Sequence, residues 1–202
     1  MLNYRYIVIE GNIGAGKTTV AKMLAEQFDG HLVLEEFADN TFLPQFYDDP
    51  RRFAFPLEMS FMAERYRQLT GVFYKRQLKI HPVISDYLFD KSLLFAKANL
   101  NKNELILFKN FFDLVKNNLA KPDLLVYLKK DVKMLKKNIQ KRGRDFETGI
   151  TDNYLHRINK LYDGWMAKNQ KTTKTLMVNS DELDFVNEPE HFKWLVNRIL
   201  GQ

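Results

Sequence analysis

Residues 11–18 read Gly11-Asn12-Ile13-Gly14-Ala15-Gly16-Lys17-Thr18, which matches the pattern G-x-x-x-x-G-K-[ST] of a phosphate-binding P-loop. An apolar run, Tyr6-Ile7-Val8-Ile9, precedes the loop, and a helix-like run begins at Thr19. Strand, glycine-rich loop and helix in this order are what such a loop requires. A glycine-rich turn with a solvated lysine is the alternative, and the context favours the P-loop. The spacing does not fit the dinucleotide-binding fingerprint G-x-G-x-x-G.

The residue types of the loop predict its chemistry. Glycines let the backbone wrap so that its N–H groups point at phosphate oxygens, and the next helix adds partial positive charge at its N-terminus. Lys17 would reach the β- and γ-phosphates, and the Thr18 hydroxyl would hold Mg²⁺. We therefore expect the segment from Gly11 to Thr19 to bind ATP.

Length and composition predict one globular domain spanning residues 1–202. No apolar run approaches the ~20 residues that span a membrane. A strand begins almost at the N-terminus, so we expect no signal peptide. The chain has no cysteine, and its four histidines lack metal-ligand spacing. These features predict a protein of the reducing cytosol.

The net charge of +6 has two interpretations. Basic residues concentrate in 129–144 and 168–174, which would suit binding to nucleic acid. They would also suit an anionic small-molecule substrate together with solvated lysines. No RNA-binding aromatic signature or zinc-finger spacing accompanies them, so the small-molecule interpretation is favoured.

Apolar strands alternate with helical patterns along the chain, which predicts an α/β fold with a parallel sheet. We expect a three-layer, doubly wound domain of the P-loop NTPase type with a five-stranded sheet. The predicted strands cover residues 4–10, 31–35, 82–86, 123–128 and 174–178. The predicted helices cover residues 17–28, 51–79, 90–120 with a break near 99–103, 131–141, 152–169 and 188–200. Ligands of such sheets bind beyond the C-terminal strand ends, where we therefore look for site residues.

Carboxylates follow two of the predicted strands. The second strand ends at Glu35-Glu36 and the third at Ser85-Asp86, and both ends would face the P-loop across a crevice. A kinase needs one carboxylate to orient and deprotonate the attacking hydroxyl and another near Mg²⁺. Glu36 and Asp86 suit these two roles, and solvated loop acids are the alternative.

A basic loop lies between two predicted helices, where residues 141–147 read Lys-Arg-Gly-Arg-Asp-Phe-Glu. Arg142 and Arg144 predict a lid, at about residues 142–150, that would clamp the transferring phosphoryl group. An exposed basic turn is the alternative. Residues 53–73 carry the apolar stripe of a buried helix, and two charged exceptions, Glu58 and Arg65, share one face of it. Their charges are either solvated or available to the polar edge of a ligand.

Taken together, these segments resemble the deoxynucleoside kinase family of P-loop enzymes, which contains deoxycytidine, deoxyguanosine and deoxyadenosine kinases. The resemblance runs from about residue 5 to 185. The P-loop alone does not choose a family, but its combination with the Tyr47 segment and the lid at these separations is specific. The segments that carry the resemblance are residues 11–19, Glu36-Phe37-Ala38, Tyr47-Asp48-Asp49-Pro50, Phe55-Pro56-Leu57-Glu58 and 142–150.

The resemblance implies transfer of the γ-phosphoryl of ATP, with Mg²⁺, to the 5′-hydroxyl of a deoxynucleoside in nucleotide salvage. It also implies a homodimer formed through long helices. Glu36 matches the carboxylate that contacts the 5′-hydroxyl and serves as base. Tyr47 and Glu147 match the pair that holds the sugar 3′-hydroxyl.

Further matches concern the base and the phosphate donor. Phe95 matches an aromatic residue that packs on the base, and Arg65 matches an arginine of the base pocket. Arg142 and Arg144 match the lid arginines on the donor phosphates. The segment 179–183, which includes Asp181 and Glu182, resembles the loop beside the base of the donor.

Two departures from the family pattern leave the catalytic acid open. The family usually has Glu-Arg-Ser or Asp-Arg-Ser after the third strand, and this chain has Ser85-Asp86-Tyr87. Either Asp86 replaces this acid with a shift of one residue, or the acid comes from elsewhere. In several family descriptions this acid is itself the proton acceptor, so Asp86 and Glu36 are competing candidates for the catalytic base. The usual Glu-Pro after the second strand is Glu36-Phe37 here, so Glu35 is an alternative to Glu36.

A third departure bears on the substrate. Glu58 stands where the family usually has a glutamine that reads the base, and an ionised carboxylate only accepts hydrogen bonds. Guanine offers two adjacent donors, and Lys91 could donate to its O6. We therefore expect a purine preference, with deoxyguanosine first. In a rival arrangement Glu58 pairs with Arg65 or Lys91 and reads nothing directly.

Two other functions stay open at this point. A nucleoside monophosphate kinase, such as thymidylate kinase, would need another phosphate-binding arginine near the acceptor, for which Arg65 is the obvious candidate. A nucleotide-regulated nucleic-acid-binding protein would show salt-sensitive binding to DNA or RNA and no nucleoside turnover.

Overall fold

The computed structural model describes residues 2–36, 40–74, 81–169 and 172–201. Within these residues, five parallel strands form one sheet in the order β2-β3-β1-β4-β5. The strands are β1 (Tyr6–Glu10), β2 (His31–Val33), β3 (Val83–Ser85), β4 (Leu124–Lys129) and β5 (Thr175–Asn179). The predicted α/β class and the five-stranded parallel sheet are confirmed.

Helices connect the strands and cover both faces of the sheet. They are α1 (Lys17–Gln27), α2 (Phe42–Asp48), α3 (Pro50–Tyr74), α4 (Lys91–Asn99), α5 (Lys102–Lys116), α6 (Val132–Arg142), α7 (Asp152–Asn169) and α8 (Pro189–Leu200). A short 3-10 turn at Asp145–Glu147 lies between α6 and α7. In the part of the chain that the structure describes, no helix is long and apolar enough to cross a membrane.

The central strand β1 shows why its sequence is apolar without interruption. Tyr6 and Val8 belong to one core cluster, whereas Ile7 and Ile9 belong to the other. Side chains alternate between the two faces of a strand, so a strand covered on both faces buries every residue. The result is the three-layer arrangement that the sequence predicts.

Most predicted helices agree with the structure to within a few residues. The predicted break near 99–103 separates α4 from α5, and Asn101 starts α5 with a capping box in which its side chain accepts from the backbone of Asn103 and Glu104. The helix α2 and the 3-10 turn were not predicted. The predicted extension of α3 through residues 75–79 lies outside the described residues.

Candidate active site

The P-loop joins β1 to α1 and fits closely against two neighbouring elements. A Cβ atom on Gly11 would lie 2.7 Å from the carbonyl oxygen of Leu128 in β4. A Cβ atom on Gly14, where φ is +82°, would lie 2.7 Å from the carbonyl oxygen of Leu135 in α6. Both positions therefore require glycine. At Gly11 the reason is the close contact with the backbone of β4, and at Gly14 it is both the contact with α6 and the positive φ.

The side chains of the loop are held in defined places. Lys17 Nζ donates to the backbone oxygen of Asn12 at 2.9 Å. Burial, followed by the nearby charge of Lys91, lowers the pKa of Lys17 to about 8, against the opposing effect of Glu10 and other carboxylates. A partly buried lysine whose pKa is lowered gains much from an anionic partner, which suits a phosphate.

Thr18 and Asp86 form a pair of oxygen ligands beside the loop. Thr18 Oγ1 donates to Asp86 Oδ2 at 2.5 Å, and the backbone N–H of Glu35 donates to Asp86 Oδ1 at 2.8 Å. Among the described residues no group of three or more histidine, cysteine or carboxylate side chains could hold a metal ion. One hydroxyl and one carboxylate suit Mg²⁺ in sites where substrate phosphates and water complete the coordination.

A cleft of about 820 Å³, measured to its open mouth, extends from the P-loop along α3 and α4. The predicted phosphate-handling residues that line it are Lys17, Thr18, Asp86, Arg142 and Arg144. The predicted substrate-binding residues that line it are Tyr47, Glu58, Arg65, Lys91, Phe95 and Glu147.

Of the two glutamates after β2, Glu35 lines the cleft and Glu36 does not. Arg65 donates twice to Glu35 Oε1, at 2.9 and 2.6 Å, and Lys91 Nζ donates to Oε2 at 2.5 Å. The side chain of Glu36 is 67% exposed and pairs with Arg67 at 3.4 Å. Adjacent side chains leave an extended chain in opposite directions, so only one of them can face the cleft. The structure therefore does not fit the role predicted for Glu36 and favours the alternative, Glu35.

The charge on Glu35 is strongly compensated. Burial would raise the pKa of Glu35, but the positive charges of Lys91 and Arg65 outweigh it and hold that pKa well below its usual range. Glu35 is therefore an ionised carboxylate around neutral pH, with two oxygens that accept hydrogen bonds.

Glu58 is the one carboxylate of the cleft with an oxygen to spare among the described residues. Its side chain is 2% exposed, Asn99 Nδ2 donates to Oε1 at 2.7 Å, and Oε2 has no hydrogen-bond partner in the described part of the chain. Burial raises the pKa of Glu58 to about 7, although Asn99, Arg65 and Lys91 oppose the effect. The rival pairing of Glu58 with Arg65 or Lys91 is wrong, because both cations bind Glu35 instead.

The lid arginines meet the predicted sugar-binding residues. Arg142 binds both oxygens of the buried Glu147, at 2.5 to 3.0 Å, and Arg144 Nη1 lies 3.3 Å from Glu147 Oε1. The ring of Tyr47 stacks on Phe146 with 6.2 Å between centroids. The structure thus brings the Tyr47 segment and the lid to the same side of the cleft.

One predicted segment, the loop after β5, does not line the cleft. Asp181 Oδ1 accepts from the backbone N–H of Asp131 at 2.7 Å, which holds the loop after β5 against the start of α6, and Glu182 is exposed. Their role beside the donor stays a prediction. Phe37 and Ala38, which carry part of the resemblance, lie outside the described residues.

Asn99 and Glu10 are among the residues around the site that sequence reasoning missed. Asn99, the last residue of α4, holds Glu58; the only signal for it was the helix break near 99–103. Glu10, at the end of β1, accepts from the backbone N–H groups of Gly11 and Leu88 and from the Tyr162 hydroxyl, all at 2.9 Å. The available signal for Glu10 was its place directly before the P-loop. Through these hydrogen bonds Glu10 connects that loop to the segment after β3 and to α7.

The chain matches the family model described as deoxynucleoside kinase over residues 7–201. It is 36% identical over 197 residues to a deoxyguanosine kinase of Bacillus subtilis, which covers 96% of this chain and 95% of the relative. It is 31% identical to a deoxyadenosine kinase of Lactobacillus acidophilus, with 96% and 94% covered. The fold is that of a deoxyadenosine kinase from M. mycoides solved with the products dCMP and dCDP (TM-score 0.86, 23% identity, 98% of this chain and 100% of the other). The chain therefore belongs to the deoxynucleoside kinase family and is an ATP-dependent phosphotransferase.

Proposed function

We propose that the enzyme transfers the γ-phosphoryl of ATP to the 5′-hydroxyl of purine deoxynucleosides, with deoxyguanosine preferred, in nucleotide salvage. The observation that carries the purine preference is the unpartnered Oε2 of Glu58 at the cleft. Guanine presents N1–H and N2–H₂ side by side, and an ionised carboxylate accepts from both. Deoxyguanosine and deoxyadenosine kinases among the relatives are in keeping with this proposal.

Glu35 is our candidate for the group that orients the 5′-hydroxyl. The backbone N–H of Glu35 donates to Asp86, which places Glu35 beside the P-loop. Its carboxylate is ionised because the positive charges of Arg65 and Lys91 stabilise the charged form. Phosphoryl transfer makes small demands on the strength of the base, since the transition state is loose, and large demands on alignment. A fixed carboxylate of low basicity meets these demands.

The donor side depends on charge. Thr18 and Asp86 would hold Mg²⁺, which when bound supplies positive charge to the β- and γ-phosphates. Lys17 would bind the same phosphates, and Arg142 and Arg144 would turn from Glu147 toward the phosphoryl group in transfer. Asp181 and Glu182 would flank the base of ATP.

The remaining cleft residues would bind the acceptor. Tyr47 and Glu147 would hold the sugar 3′-hydroxyl, and Phe95 would pack on the base. Arg65 and Lys91 would line the base pocket and hold Glu35 in place beside the 5′-hydroxyl, since both of them bind it.

We also propose a homodimer, a cytoplasmic location and a single domain for residues 1–202. Four exposed apolar side chains on α5 support the dimer, namely Ile106, Leu107, Phe111 and Leu114. The lack of cysteine is in keeping with a reducing compartment. The lid would comprise about residues 142–150, and its arginines line the cleft.

A coupled assay of ADP release tests the proposal, with ATP and Mg²⁺ against the four deoxynucleosides and with dTMP and dGMP as further acceptors. We expect turnover of deoxyguanosine and deoxyadenosine ahead of the pyrimidines. Turnover of a monophosphate alone would overturn the acceptor assignment. Arg65, the arginine that a monophosphate would need, is bound to Glu35 and Ser92, which does not support that activity.

A further inference from the structure

We propose that the charge state of Glu58 selects the purine, so that the ionised carboxylate takes guanine and the protonated carboxyl takes adenine. One site would then accept two substrates, in proportions that depend on pH. The inference rests on the proposed function, which sets the base beside Glu58, and it extends that function from a fixed preference to a variable one.

The hydrogen bonds around Glu58 determine where a proton would sit. Asn99 Nδ2 donates to Oε1, so Oε1 acts as an acceptor in either charge state. A proton on Glu58 therefore belongs on Oε2, the unpartnered oxygen.

The two charge states complement the two purines. When ionised, Oε2 and the second lone pair of Oε1 accept from N1–H and N2–H₂ of guanine. When protonated, Oε2 donates to N1 of adenine and Oε1 accepts from its N6–H₂. Each mismatched combination sets two donors or two acceptors against each other, which leaves buried polar groups unsatisfied and is strongly rejected.

Both charge states are available because the burial of Glu58 outweighs the positive charges that face it. Arg65 on α3 and Lys91 on α4 are both bound to Glu35, whose negative charge offsets part of theirs. Tyr154 on α7 and Tyr47 on α2 also face Glu58, and the pKa of each is raised by burial, so both are neutral. With the cations engaged, burial dominates and brings the pKa of Glu58 to about 7.

The test is the ratio of kcat/KM for deoxyguanosine to that for deoxyadenosine, measured with both nucleosides in competition. Ionisations of the donor and of catalytic groups affect both substrates and cancel in the ratio. We expect the ratio to rise from about pH 6 to about pH 8, by up to ~100-fold, because the ionised fraction relative to the neutral one grows tenfold per pH unit. A ratio that does not change with pH while both nucleosides are phosphorylated would overturn the inference and leave the proposed function standing.

Variants make the test specific to Glu58. The neutral amide of Glu58→Gln can donate and accept, so its ratio should favour deoxyadenosine and lose its pH dependence. Glu64→Gln is the matched control, since it removes a carboxylate from the same helix that binds Arg67 outside the cleft. It should retain the pH dependence of the parent enzyme, and a flat ratio in Glu64→Gln would contradict the assignment. If neither nucleoside is phosphorylated by the parent enzyme at any pH, the proposed function fails and the inference falls with it.

Discussion

At the scale of single residues, the site depends on side-chain direction more than on residue type. Glu35 and Glu36 are identical and adjacent, yet the first is bound by two buried cations and the second reaches solvent. The sequence predicts a carboxylate after β2, but nothing in the spacing tells which of the two turns inward. That choice is made by the path of the chain beyond the strand.

The pair Glu35 and Glu36 offers a matched test of the catalytic assignment. We expect Glu35→Gln to lower kcat by about 10²–10⁴, because an uncharged amide cannot accept the hydroxyl proton and leaves Arg65 and Lys91 without their counter-charge. Glu36→Gln should stay within about threefold of the parent, since exposed ion pairs contribute little. Steady-state kinetics with deoxyguanosine, beside circular dichroism for folding, checks both. A loss of activity confined to Glu36→Gln would reverse the assignment.

Partner residues were harder to predict than the charged residues themselves. Glu58 stands out in the sequence as a charge on an apolar helix, whereas Asn99 is an ordinary polar residue at a helix end. Their hydrogen bond joins residues 41 positions apart on α3 and α4, and it exists only once these two helices pack together. A single sequence carries no signal for such a contact.

At the scale of elements, hydrophobic periodicity predicts the helices that are long enough to show a repeating pattern. The helices α6, α7 and α8 and the break before α5 follow from pattern and capping residues. The helix α2 has seven residues, too few for an amphipathic period, and includes Pro44. Proline is tolerated in a first helical turn, but in a sequence it usually indicates a turn. For this reason the element that carries Tyr47 was missed.

The contacts of the P-loop with β4 and α6 predict the effect of a substitution at Gly14. Gly14→Ala sets a methyl group against the carbonyl oxygen of Leu135 in α6 and strains a backbone with φ of +82°. We expect the free energy of unfolding to fall by about 1–3 kcal/mol and the Kd for ATP to rise by at least about tenfold. Urea unfolding and titration calorimetry measure the two effects.

A helical glycine in open space serves as the control. Gly164 lies within α7, and a methyl group there would meet no atom within 4 Å. Gly164→Ala should raise stability by about 0.5–1 kcal/mol and leave ATP binding unchanged, because alanine restricts the unfolded chain and suits a helix. Equal effects of the two substitutions on stability and on ATP binding would show that Gly14 is not required by its contacts or by its backbone conformation.

At the scale of the whole molecule, strand order brings the site together. The sequence predicts five parallel strands but not that β3 lies between β1 and β2. This order sets Asp86, after β3, next to both the P-loop after β1 and the backbone of Glu35 after β2. The cleft therefore follows from topology, as expected for an open parallel sheet whose ligand lies beyond the carboxyl ends of its strands.

One surface of the molecule is too apolar for a helix in water. Phe108 and Phe112 of α5 are buried in the core, and the opposite side of this helix exposes four more large apolar side chains, which we call the α5 apolar face. These are Ile106, Leu107, Phe111 and Leu114, between 44% and 71% exposed. A helix that is apolar on both sides is typically buried on both sides, which supports an interface between two copies.

The α5 apolar face predicts the size of the particle in solution and how to change it. Light scattering after size exclusion should give twice the 23.9 kDa mass of one chain for the parent protein. Leu114→Lys sets a charge at the most exposed position of the face and should lower the mass toward that of one chain, since an unpaired buried charge costs several kcal/mol. Val186→Lys changes a similarly exposed side chain outside α5 and should leave the mass unchanged. A parent mass of one chain would overturn the dimer, and a dimer that survives Leu114→Lys would move its interface to another surface.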